Sequence, residues 1–297
     1  MSETSLSVFG EILWDLLPSG PVLGGAPFNF AYRMQTLGVN STIFSRVGAD
    51  DLGRKALDQA LEMGMETSCI ETDAAYPTGS VDVWLDENKS PDFKIYPDVA
   101  FDHIRLTSKM VQKIKKAQCF YFGTVAQRSA VSRRTLTQLL ELFKGKPIFL
   151  DINLRKGCYD LDIVSSSIAQ ATILKMNEQE VAVIAEALHI QYKTLGGFLD
   201  QIIEKTNLKY SVITLGEKGA CAISDQDENI QVCSRKIHPL DTCGSGDGFS
   251  AGFLFSLLEN KSLEYACRFG NALGALVALQ KGATGRVDKN EIEHFMN

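Results

Sequence analysis

The sequence lacks the features that mark membrane, secreted and nucleic-acid-binding proteins. No apolar run in its 297 residues approaches the roughly 20 residues that a helix needs to span a bilayer. The first residues, Met-Ser-Glu-Thr-Ser, do not show the basic region and apolar core of a signal peptide. The net charge is −6, so the chain offers no overall electrostatic attraction to nucleic acid. We therefore expect a cytoplasmic protein whose partners include neither nucleic acid nor a membrane.

Cysteine motifs for metal binding or redox chemistry are also missing. The seven cysteines are an odd number, and no two of them form a C-x-x-C pair. A zinc site or a dithiol redox centre usually requires closely spaced thiolates. The cysteines are therefore interpreted as free, buried thiols in a reducing compartment.

Short β-rich runs alternate with longer segments of helical period along the chain. The predicted strands are Leu6–Leu13, Ser41–Val47, Cys119–Val125, Pro147–Asn153, Thr172–Met176 and Tyr210–Leu215. The helical segments between them include Arg133–Phe143, Glu178–Ala187 and Phe198–Lys205. Several strands are apolar on both faces, as the central strands of a parallel sheet are. The alternation predicts an α/β sandwich, built as one large domain with an appendage or as two modest domains.

One region, from Tyr76 to Pro97, breaks the alternation of strand and helix. Val81, Val83 and Leu85 alternate with polar residues, and a turn follows before the next apolar positions. This pattern predicts a β-hairpin with one polar face, which leaves the main sheet as a small flap. An ordinary edge hairpin is the alternative. An exposed apolar face on the flap could pair with a second copy in a homodimer.

The glycine cluster that precedes Asp247 is the strongest signal of function. Gly244, Ser245 and Gly246 stand before this aspartate, and Phe249–Leu258 continues with the spacing of an amphipathic helix. Small residues at a helix start let backbone N–H groups turn inward and form a nest for phosphoryl oxygens. A carboxylate in that nest stays ionised and could accept a proton from an attacking hydroxyl. The alternative is a helix N-cap turn with a solvated aspartate.

Two other glycine motifs are excluded. A Walker A loop requires G-x-x-x-x-G-K-[ST], and no such string occurs. The dinucleotide fingerprint G-x-G-x-x-G fails because Phe249 takes the third glycine position. The anion site predicted before Asp247 is therefore of neither type.

Two signatures in the right order give the chain a family resemblance. The first is Gly24-Gly25-Ala26-Pro27-Phe28-Asn29-Phe30-Ala31, followed by Gly38, Arg46-Val47-Gly48, Asp50 and Gly53. The second is Asp241-Thr242-Cys243-Gly244-Ser245-Gly246-Asp247. With them the chain resembles, over essentially its whole length, the ribokinase-like (PfkB) carbohydrate kinases, most closely the bacterial fructokinases. Ser245 and Cys243 replace the commoner alanine and threonine, and both are small residues that contribute through their backbone.

The resemblance implies a fold and a reaction. The fold is a Rossmann-like, three-layer α/β sandwich with a mostly parallel sheet, one domain over residues 1–297, and a small β lid formed by about 14–22 and 76–97. The reaction is the ATP- and Mg²⁺-dependent phosphorylation of a small sugar at a primary hydroxyl. Asp247 would be the base, and the backbone of Gly244, Ser245 and Gly246 would stabilise the developing charge.

On the sugar side, the resemblance implies five contacts. Asp15 would bind sugar hydroxyls, since a carboxylate can accept two of them. Gly24 and Gly25 would let the backbone approach the ligand, and the amide of Asn29 both donates and accepts. Arg155, at the end of the D-x-N-x-R pattern, could reach the sugar or the transferring phosphate, although a surface salt bridge is an equal alternative.

On the nucleotide side, the sequence Asn177-Glu178-Gln179-Glu180 matches the family's N-x-x-E. The resemblance implies that Asn177 contacts the nucleotide and that Glu180 organises Mg²⁺ through water, because Mg²⁺ gives up its water shell reluctantly. A helix-start asparagine with a glutamate at the third position is the competing structural interpretation.

Further nucleotide and cation contacts follow from the resemblance. Thr214, Gly216 and Gly219 match a T-x-G-x-x-G segment beside the ATP phosphates and ribose, and Asn271 matches an adenine-side contact. A monovalent cation such as K⁺ could be held by Asp241 with the carbonyls of Cys243 and Gly282.

Fructose is the best single substrate expected from the resemblance. It rests on Gly24–Pro27, on Asp151–Arg155 and on Pro77–Gly79, all of which look like fructokinase. Ribose, 2-keto-3-deoxygluconate or a nucleoside are the same-class alternatives. A keto acid would require an extra cation, which Arg33, Arg105 or Arg128 could supply. A catalytically silent sugar-binding relative is the alternative from another class.

Overall fold

The computed structural model describes residues 4–17, 20–85 and 91–296, with the backbone alone at 83–85 and 91–93. The strands are β1 (Ser5–Phe9), β2 (Leu13–Leu17), β3 (Gly20–Gly24), β4 (Asn40–Gly48), β5 (Ile70–Asp73), β6 (Gly79–Leu85), β7 (Pro91–Ile95), β8 (Cys119–Phe122), β9 (Ile148–Asp151), β10 (Ile173–Asn177), β11 (Tyr210–Thr214), β12 (Ala220–Ser224) and β13 (Asn229–Val232). The helices are α1 (Ala26–Thr36), α2 (Asp51–Glu62), α3 (Ser108–Lys116), α4 (Ala130–Leu142), α5 (Leu161–Gln170), α6 (Val181–Ala187), α7 (Leu195–Lys205), α8 (Ser245–Leu258), α9 (Leu263–Ala278) and α10 (Lys289–Met296). No helix in these ranges is long and apolar enough to cross a membrane.

The main sheet has nine strands in the order β13-β12-β11-β10-β9-β8-β1-β4-β5. Its strands pair in parallel from β11 through to β5, and β12 and β13 extend one side in antiparallel pairing. Every residue of β8 and of β9 is buried, as expected for strands covered on both faces. The predicted α/β architecture with a mostly parallel sheet is confirmed.

Apolar side chains on the two faces of this sheet form two cores. On one face, Phe30 of α1 stacks on Tyr121 with ring centroids 3.8 Å apart, and Tyr121 stacks on Phe149. On the other face, Phe120 packs edge-on against Phe143, in a core that also includes residues of α3 to α7. The alternation of side chains along each strand thus supplies both cores, which makes the molecule a three-layer sandwich.

A second sheet of four strands, which we call sheet B, stands apart from the main one in the order β3-β2-β6-β7. The predicted hairpin forms β6 and β7, so it leaves the main sheet as expected. The expectation of an exposed apolar face is wrong at Val81, which is 4% exposed because it packs into the core of its own chain. The side chains of Val83 and Leu85 lie outside the described part.

Sheet B is joined to the body at the start of β6. Thr78 N–H and Oγ1 donate to the two carboxylate oxygens of Asp50 at 2.8 and 2.6 Å, and Asp50 also caps α2 by accepting from Gly53 N–H. On the other side, Arg128 donates to the Tyr96 carbonyl oxygen at 2.6 Å. These contacts fix where the smaller sheet begins and where it returns.

Candidate active site

The carboxyl ends of the parallel strands place polar residues along one edge of the main sheet. Glu11 follows β1, Asp151 ends β9, Asn177 ends β10 and Thr214 ends β11. Asn177 and Thr214 stand directly beside each other in the register of β10 and β11. This edge is where open α/β sheets bind their ligands. The residues that follow these strands therefore mark the candidate site.

The first turn of α8 forms the predicted nest at this edge. Gly244 caps the helix with φ 73°, in the left-handed region that glycine adopts without a steric cost. A Cβ on Gly244 would stand only 2.4 Å from the Cβ of Ala283, so the loop around Ala283 packs directly on the cap. The Ser245 N–H donates to the Thr242 carbonyl oxygen at 3.2 Å, whereas Gly246 is exposed, so the predicted anion nest is open at Gly246.

Asp247 lies in this first turn and is held from α1. The Asn29 amide nitrogen donates to Asp247 Oδ2 at 2.8 Å. Burial, followed by the charge of Asp151, raises the pKa of Asp247 to about 6, while Asn29, Lys175 and Arg155 oppose the rise. The Asn29 amide oxygen is buried and has no partner among the described residues, so it can accept from a ligand hydroxyl.

A buried ion pair beneath the nest was missed by sequence reasoning. Lys175 and Asp151 face each other on β10 and β9, with Nζ 3.1 Å from Oδ1, and both are almost fully buried. Ser250 of α8 donates to Asp151 Oδ2 at 2.7 Å. A Cβ on Gly246 would be 3.4 Å from Lys175 Nζ, so the ammonium lies against the nest. The available signal was a lysine inside the otherwise apolar strand Thr172–Met176.

The predicted sugar side brings together groups from sheet B, α1 and the loop after β9. Asp15 Oδ2 lies 3.0 Å from where a Gly24 Cβ would stand. Burial raises the pKa of Asp15 to about 6, and the charge of Arg155 opposes it. Arg155 is exposed, and its charge also lowers the pKa of Asp247. The site role of Arg155 and the surface salt bridge both stay predictions.

Glu11 is a further carboxyl at this site that the sequence did not single out. It is 3% exposed, and burial raises its pKa to about 7, with Asp247 adding to the rise and Arg155 opposing it. Gly25, the N-cap of α1, has φ 109°, and a Cβ there would be 2.6 Å from the Glu11 carbonyl oxygen. Only glycine therefore fits beside Glu11. The signal was a carboxylate directly after a buried strand.

Asn177 and Glu180 hold each other by reciprocal bonds. Asn177 Oδ1 accepts from the N–H groups of Gln179 and Glu180, and Glu180 Oε2 accepts from Asn177 N–H at 2.7 Å. Glu180 Oε1 accepts from Leu154 N–H at 2.8 Å. This is the helix-start arrangement that the sequence offered as the competing interpretation. The contact of Glu180 with Mg²⁺ stays a prediction. Because both carboxylate oxygens already accept N–H groups, only their remaining lone pairs could accept from a water on the metal.

Magnesium would find a limited set of ligands from the chain itself. Within the described ranges, no three His, Cys, Asp or Glu side chains cluster in a way that could hold a metal ion. Mg²⁺ in nucleotide sites is usually held by one or two carboxylates together with water and phosphate oxygens. The residues present therefore fit a metal that is held mainly by the nucleotide.

The other residues predicted to bind the nucleotide lie in two places, both next to Val232. Gly216 and Gly219 form the tight turn between β11 and β12. Gly219 packs so closely on Val232 that a Cβ would lie 2.0 Å from its carbonyl oxygen. Val232 and Asn271 both line a cleft of about 840 Å³ between β13, α9 and α10. The Asn271 amide nitrogen is buried and has no hydrogen-bond partner in the described part. Its predicted contact with the adenine would give it an acceptor.

Both carboxylate oxygens of Asp241 accept hydrogen bonds from the backbone. Its Oδ1 accepts from Cys243 N–H and its Oδ2 accepts from Gly282 N–H, both at 2.9 Å. The carboxylate therefore joins the loop before α8 to the loop after α9. The Gly282 loop continues to Ala283, which packs on Gly244.

Comparison with known proteins adds a family and several relatives. The profile of the pfkB family carbohydrate kinases matches residues 21–290. An uncharacterized sugar kinase of Pyrococcus horikoshii is 31% identical over 278 residues, which cover 91% of this chain and 84% of that protein. Fructokinase-1 of Oryza sativa subsp. japonica is 28% identical over 301 residues, covering 93% and 92% of the two chains.

Solved structures resemble the chain over its full length. The fructokinase of Vibrio cholerae, in a form with fructose, ADP and calcium ion bound, superposes with a TM-score of 0.85 at 25% identity over 100% of both chains. The structure of the Pyrococcus horikoshii protein gives a TM-score of 0.82 at 28% identity, covering 99% and 100%. The α/β sandwich and its separate small sheet are thus those of a known kinase fold.

Proposed function

The chain belongs to the pfkB family of carbohydrate kinases, and we propose that it transfers the γ-phosphoryl group of ATP to a primary hydroxyl of fructose. The observation that carries the proposal is the pairing of Asp247 with Asn29 at the open first turn of α8. A proposed base, a group on α1 that orients it and a proposed anion site then meet at the first turn of α8. Phosphoryl transfer to a hydroxyl requires this combination.

In the proposed mechanism, Asp247 takes the proton of the attacking hydroxyl. Asn29 orients the carboxylate through Oδ2 and leaves its own buried amide oxygen for the sugar. The amides of Gly244 and Gly246 are proposed to face the transferring group and stabilise its charge, while the Ser245 amide donates to the Thr242 carbonyl oxygen. Mg²⁺, when bound, neutralises charge on the phosphate oxygens. Positioning and electrostatics supply the rate, because little covalent chemistry is left to the protein.

For the sugar, we propose that Asp15 and Arg155 bind hydroxyl groups with Glu11 behind them. Their charges influence one another, since Arg155 opposes the rise in pKa of both carboxyls. Fructose is supported by the rice relative named fructokinase-1 and by the Vibrio cholerae structure with fructose bound. Sheet B, which carries Asp15, is proposed as the lid that excludes water during transfer.

The keto-acid alternative loses two of its three candidate cations. Arg33 donates to backbone carbonyl oxygens in the core, and Arg128 pairs with Asp102 at 2.7 Å. Neither guanidinium can turn to a substrate carboxylate without leaving buried acceptors unpaired. Ribose and nucleosides stay as alternatives that a substrate panel separates.

Asp247→Asn tests the assignment of the base. We expect kcat to fall by about 10²–10⁴-fold, because the amide cannot take up the proton, while the KM for the sugar changes little. The measurement is coupled ADP release across fructose, ribose, 2-keto-3-deoxygluconate and nucleosides. Asp58→Asn, the same chemical change at an exposed position of α2, is the control and should match the parent. Near-parental turnover by Asp247→Asn would refute the assignment, and no turnover of any sugar by the parent would favour a silent relative.

The proposal also includes the location of the protein in the cell and its oligomeric state. All seven cysteines are free, and five of them are buried, which suits a cytoplasmic enzyme. A homodimer through sheet B would have to use surface other than Val81, which is buried. A monomeric mass by light scattering at micromolar concentration would exclude that dimer.

A further inference from the structure

Tyr121 is a fully buried tyrosine whose hydroxyl the proposed mechanism does not use. It is the third residue of β8 and has no exposed surface. Its ring stacks on Phe30 of α1, with centroids 3.8 Å apart, and on Phe149 of β9, with centroids 5.6 Å apart. Within the described residues, its hydroxyl is buried and has no hydrogen-bond partner. Packing therefore accounts for the ring but not for the hydroxyl.

The hydroxyl is the one polar atom that distinguishes Tyr121 from the phenylalanines around it. A phenylalanine at this position would make the same ring contacts with Phe30 and Phe149. A buried polar group without a hydrogen bond destabilises the folded state, and buried tyrosine hydroxyls usually have a polar partner. Tyr121 therefore points to a polar group within reach of its hydroxyl.

The strand register places Tyr121 on the face of the sheet that carries the candidate site. Tyr121 is the register partner of Phe149, and Asp151 lies two residues further along β9. Residues two apart on a strand share a face, so Tyr121 and Asp151 lie on the same side of the sheet. Ser250 of α8 donates to Asp151, so α8 covers this side. The same helix carries Asp247 in its first turn.

Three carboxyl groups act on the Tyr121 hydroxyl. Burial raises the pKa of Tyr121 well above its usual value, and the charges of Asp151, Asp247 and Glu11 add to the rise. The hydroxyl thus keeps its proton at neutral pH and is available as a donor. None of the three carboxyl groups lies within hydrogen-bond distance of it. Donor and acceptors are therefore close, and a gap separates them.

One water molecule can bridge such a gap. A buried water typically makes about three hydrogen bonds to polar groups that otherwise lack partners. Here it would accept from Tyr121 and donate its two hydrogens to carboxyl groups. Asp151 already faces the ammonium of Lys175. Asp247 is held by the neutral amide of Asn29, so a further donor has the larger effect on Asp247.

We propose that Tyr121 binds a buried water molecule that donates to the Asp247 carboxylate, which makes Tyr121 a positioning residue for the base. The water holds this carboxylate from the side of the sheet, while Asn29 holds it from α1. Hydrogen bonds to the charged form lower the pKa of a carboxyl, so loss of the water favours the protonated acid. The kinetic part of this proposal rests on Asp247 as the base of phosphoryl transfer, whereas the water site does not.

Other charged and titratable groups around Asp247 also influence its ionisation. They are Glu11 after β1, Arg33 on α1, Asp151 on β9, Arg155 after β9, Lys175 on β10 and Cys243 before α8. Tyr121→Phe leaves all of these groups in place and removes a single oxygen atom. A change in the ionisation of Asp247 in this variant can therefore be assigned to the hydroxyl.

The first experiment is a high-resolution crystal structure of the parent and of Tyr121→Phe, both without substrate. In the parent we expect a water within about 3.2 Å of both Tyr121 Oη and a carboxylate oxygen of Asp247. Its density should be lost in the variant. A parent without this water, a direct bond from the hydroxyl to a protein group, or a water that persists in the variant would overturn the proposal. The result does not depend on turnover, so it decides the water site even if no sugar is phosphorylated.

The second experiment compares kcat against pH. We expect the acid limb of Tyr121→Phe to move to higher pH by about half to one unit, with little change in the KM for the sugar. At pH 8, where the carboxylate is ionised in both proteins, the two kcat values should be closer. Tyr192→Phe, the same chemical change at an exposed tyrosine after α6, is the control. Its acid limb should coincide with that of the parent.

Two further results would contradict the positioning role. An acid limb that stays in place in Tyr121→Phe would show that the hydroxyl does not influence the base. Higher stability of this variant in urea would show that the hydroxyl is unpaired in the folded protein, because removal of an unpaired buried group is favourable. Should the variant fail to fold, the crystal structure of the parent still decides whether the water is bound.

Discussion

At the scale of single residues, the ionisation of Asp247 decides when the site can work. A base must be deprotonated to accept the hydroxyl proton, and burial raises the pKa of Asp247 to about 6. Asp15 has a raised pKa of about 6 for the same reason. Activity should therefore fall as the pH drops through this range, far above the pH at which an exposed aspartate would be protonated.

Asn29→Ala should move the acid limb of the pH profile to higher pH. The Asn29 amide donates to Asp247 and is one of the influences that lower the pKa of this carboxyl. Without that donor the carboxylate is less favoured, so a higher pH is needed to ionise it. The measurement is kcat against pH for parent and variant. An acid limb that stays in place or moves to lower pH would show that the amide does not stabilise the ionised base.

Glu11→Gln should stabilise the protein at pH 8 and have a much smaller effect near pH 5. The folded state raises the pKa of Glu11 from 4.5 to about 7 because the carboxyl is buried. Between these values the folded state binds more protons than the unfolded state, so stability falls as the pH rises, and the full penalty applies above about 7. The neutral amide avoids it, which we expect to add on the order of 1–3 kcal/mol to the free energy of unfolding at pH 8.

Urea denaturation of parent and Glu11→Gln at the two pH values measures this effect. The difference between the two proteins should grow from pH 5 to pH 8. A difference that is constant with pH would mean that Glu11 is protonated at both values or that its charge is fully compensated. A carboxylate kept at such a cost is typical of a functional site.

At the scale of elements, α8 is held by close glycine contacts with α9. A Cβ on Gly252 would be 3.0 Å from the Cα of Gly270. A Cβ on Gly270 would be 2.9 Å from the carbonyl oxygen of Phe249. The two helices can approach this closely only because neither carries a side chain at the crossing. Since α8 begins with the nest, its position on α9 also fixes the nest.

Gly270→Ala should therefore destabilise the protein by about 1–3 kcal/mol, because the new methyl group forces the helices apart. Gly196→Ala is the matched control. Gly196 lies in α7 and an added Cβ would meet nothing within 4 Å, so its free energy of unfolding should be unchanged or raised by about 0.5–1 kcal/mol. Chemical denaturation of both variants measures the difference. Equal stability of the two would show that the α8–α9 contact can expand without cost.

Some elements were predictable from the sequence and others were not, for physical reasons. The central strands β8 and β9 were predictable because burial on both faces makes them continuously apolar. The predicted strand Leu6–Leu13 covers most of β1, the loop after it and the first residue of β2. The prediction merged them because the loop is itself buried. The strand β13 was not predicted, since it is short and mostly exposed. An apolar run in the sequence indicates a buried segment. It predicts a strand correctly only where the buried segment is a strand.

Side-chain partners within the site were harder to predict than the site itself. The sequence Asn177–Glu180 favoured a metal contact and left a helix start as the alternative, and the structure shows reciprocal bonds between Asn177 and Glu180 in the turn that leads into α6. Lys175 and Asp151 lie on different strands, so their pairing depends on strand order. Arg33 and its carbonyl partners are 250 and 252 residues apart. Family signatures point to the proposed base and nest, but contacts across the fold follow from topology.

At the scale of the whole molecule, the C-terminal segment completes a site that begins near the N-terminus. Asn29 and Asp247 are 218 residues apart in sequence and 2.8 Å apart in space. Residues 281–285 follow α9, and Arg33 of α1 donates to the carbonyl oxygens of Ala283 and Gly285 in this segment, which we call the support loop. The helix α10 contributes less to this closure, with Ile292 as its buried residue.

A chain that ends at Gln280 should fail to fold cooperatively, whereas one that ends at Asp288 should keep its fold. The shorter chain leaves the buried Arg33 without its acceptors. The longer chain keeps them and loses the burial of Ile292, worth about 1.5–3 kcal/mol, together with the partial burial of Phe295 and Met296. Thermal melting by circular dichroism measures the outcome. Similar melting of the two chains would show that the support loop is dispensable for folding.

The link from α1 to the support loop also has a consequence for synthesis of the protein in the cell. Translation delivers Asn29 and Arg33 early, but Asp247 and Ala283 emerge only near the end. A ribosome-bound chain can therefore form much of its sheet while its donors on α1 still lack their partners. If Asp247 is the base, as proposed, a nascent chain that has not reached α8 holds Asn29 in place without the group that it orients.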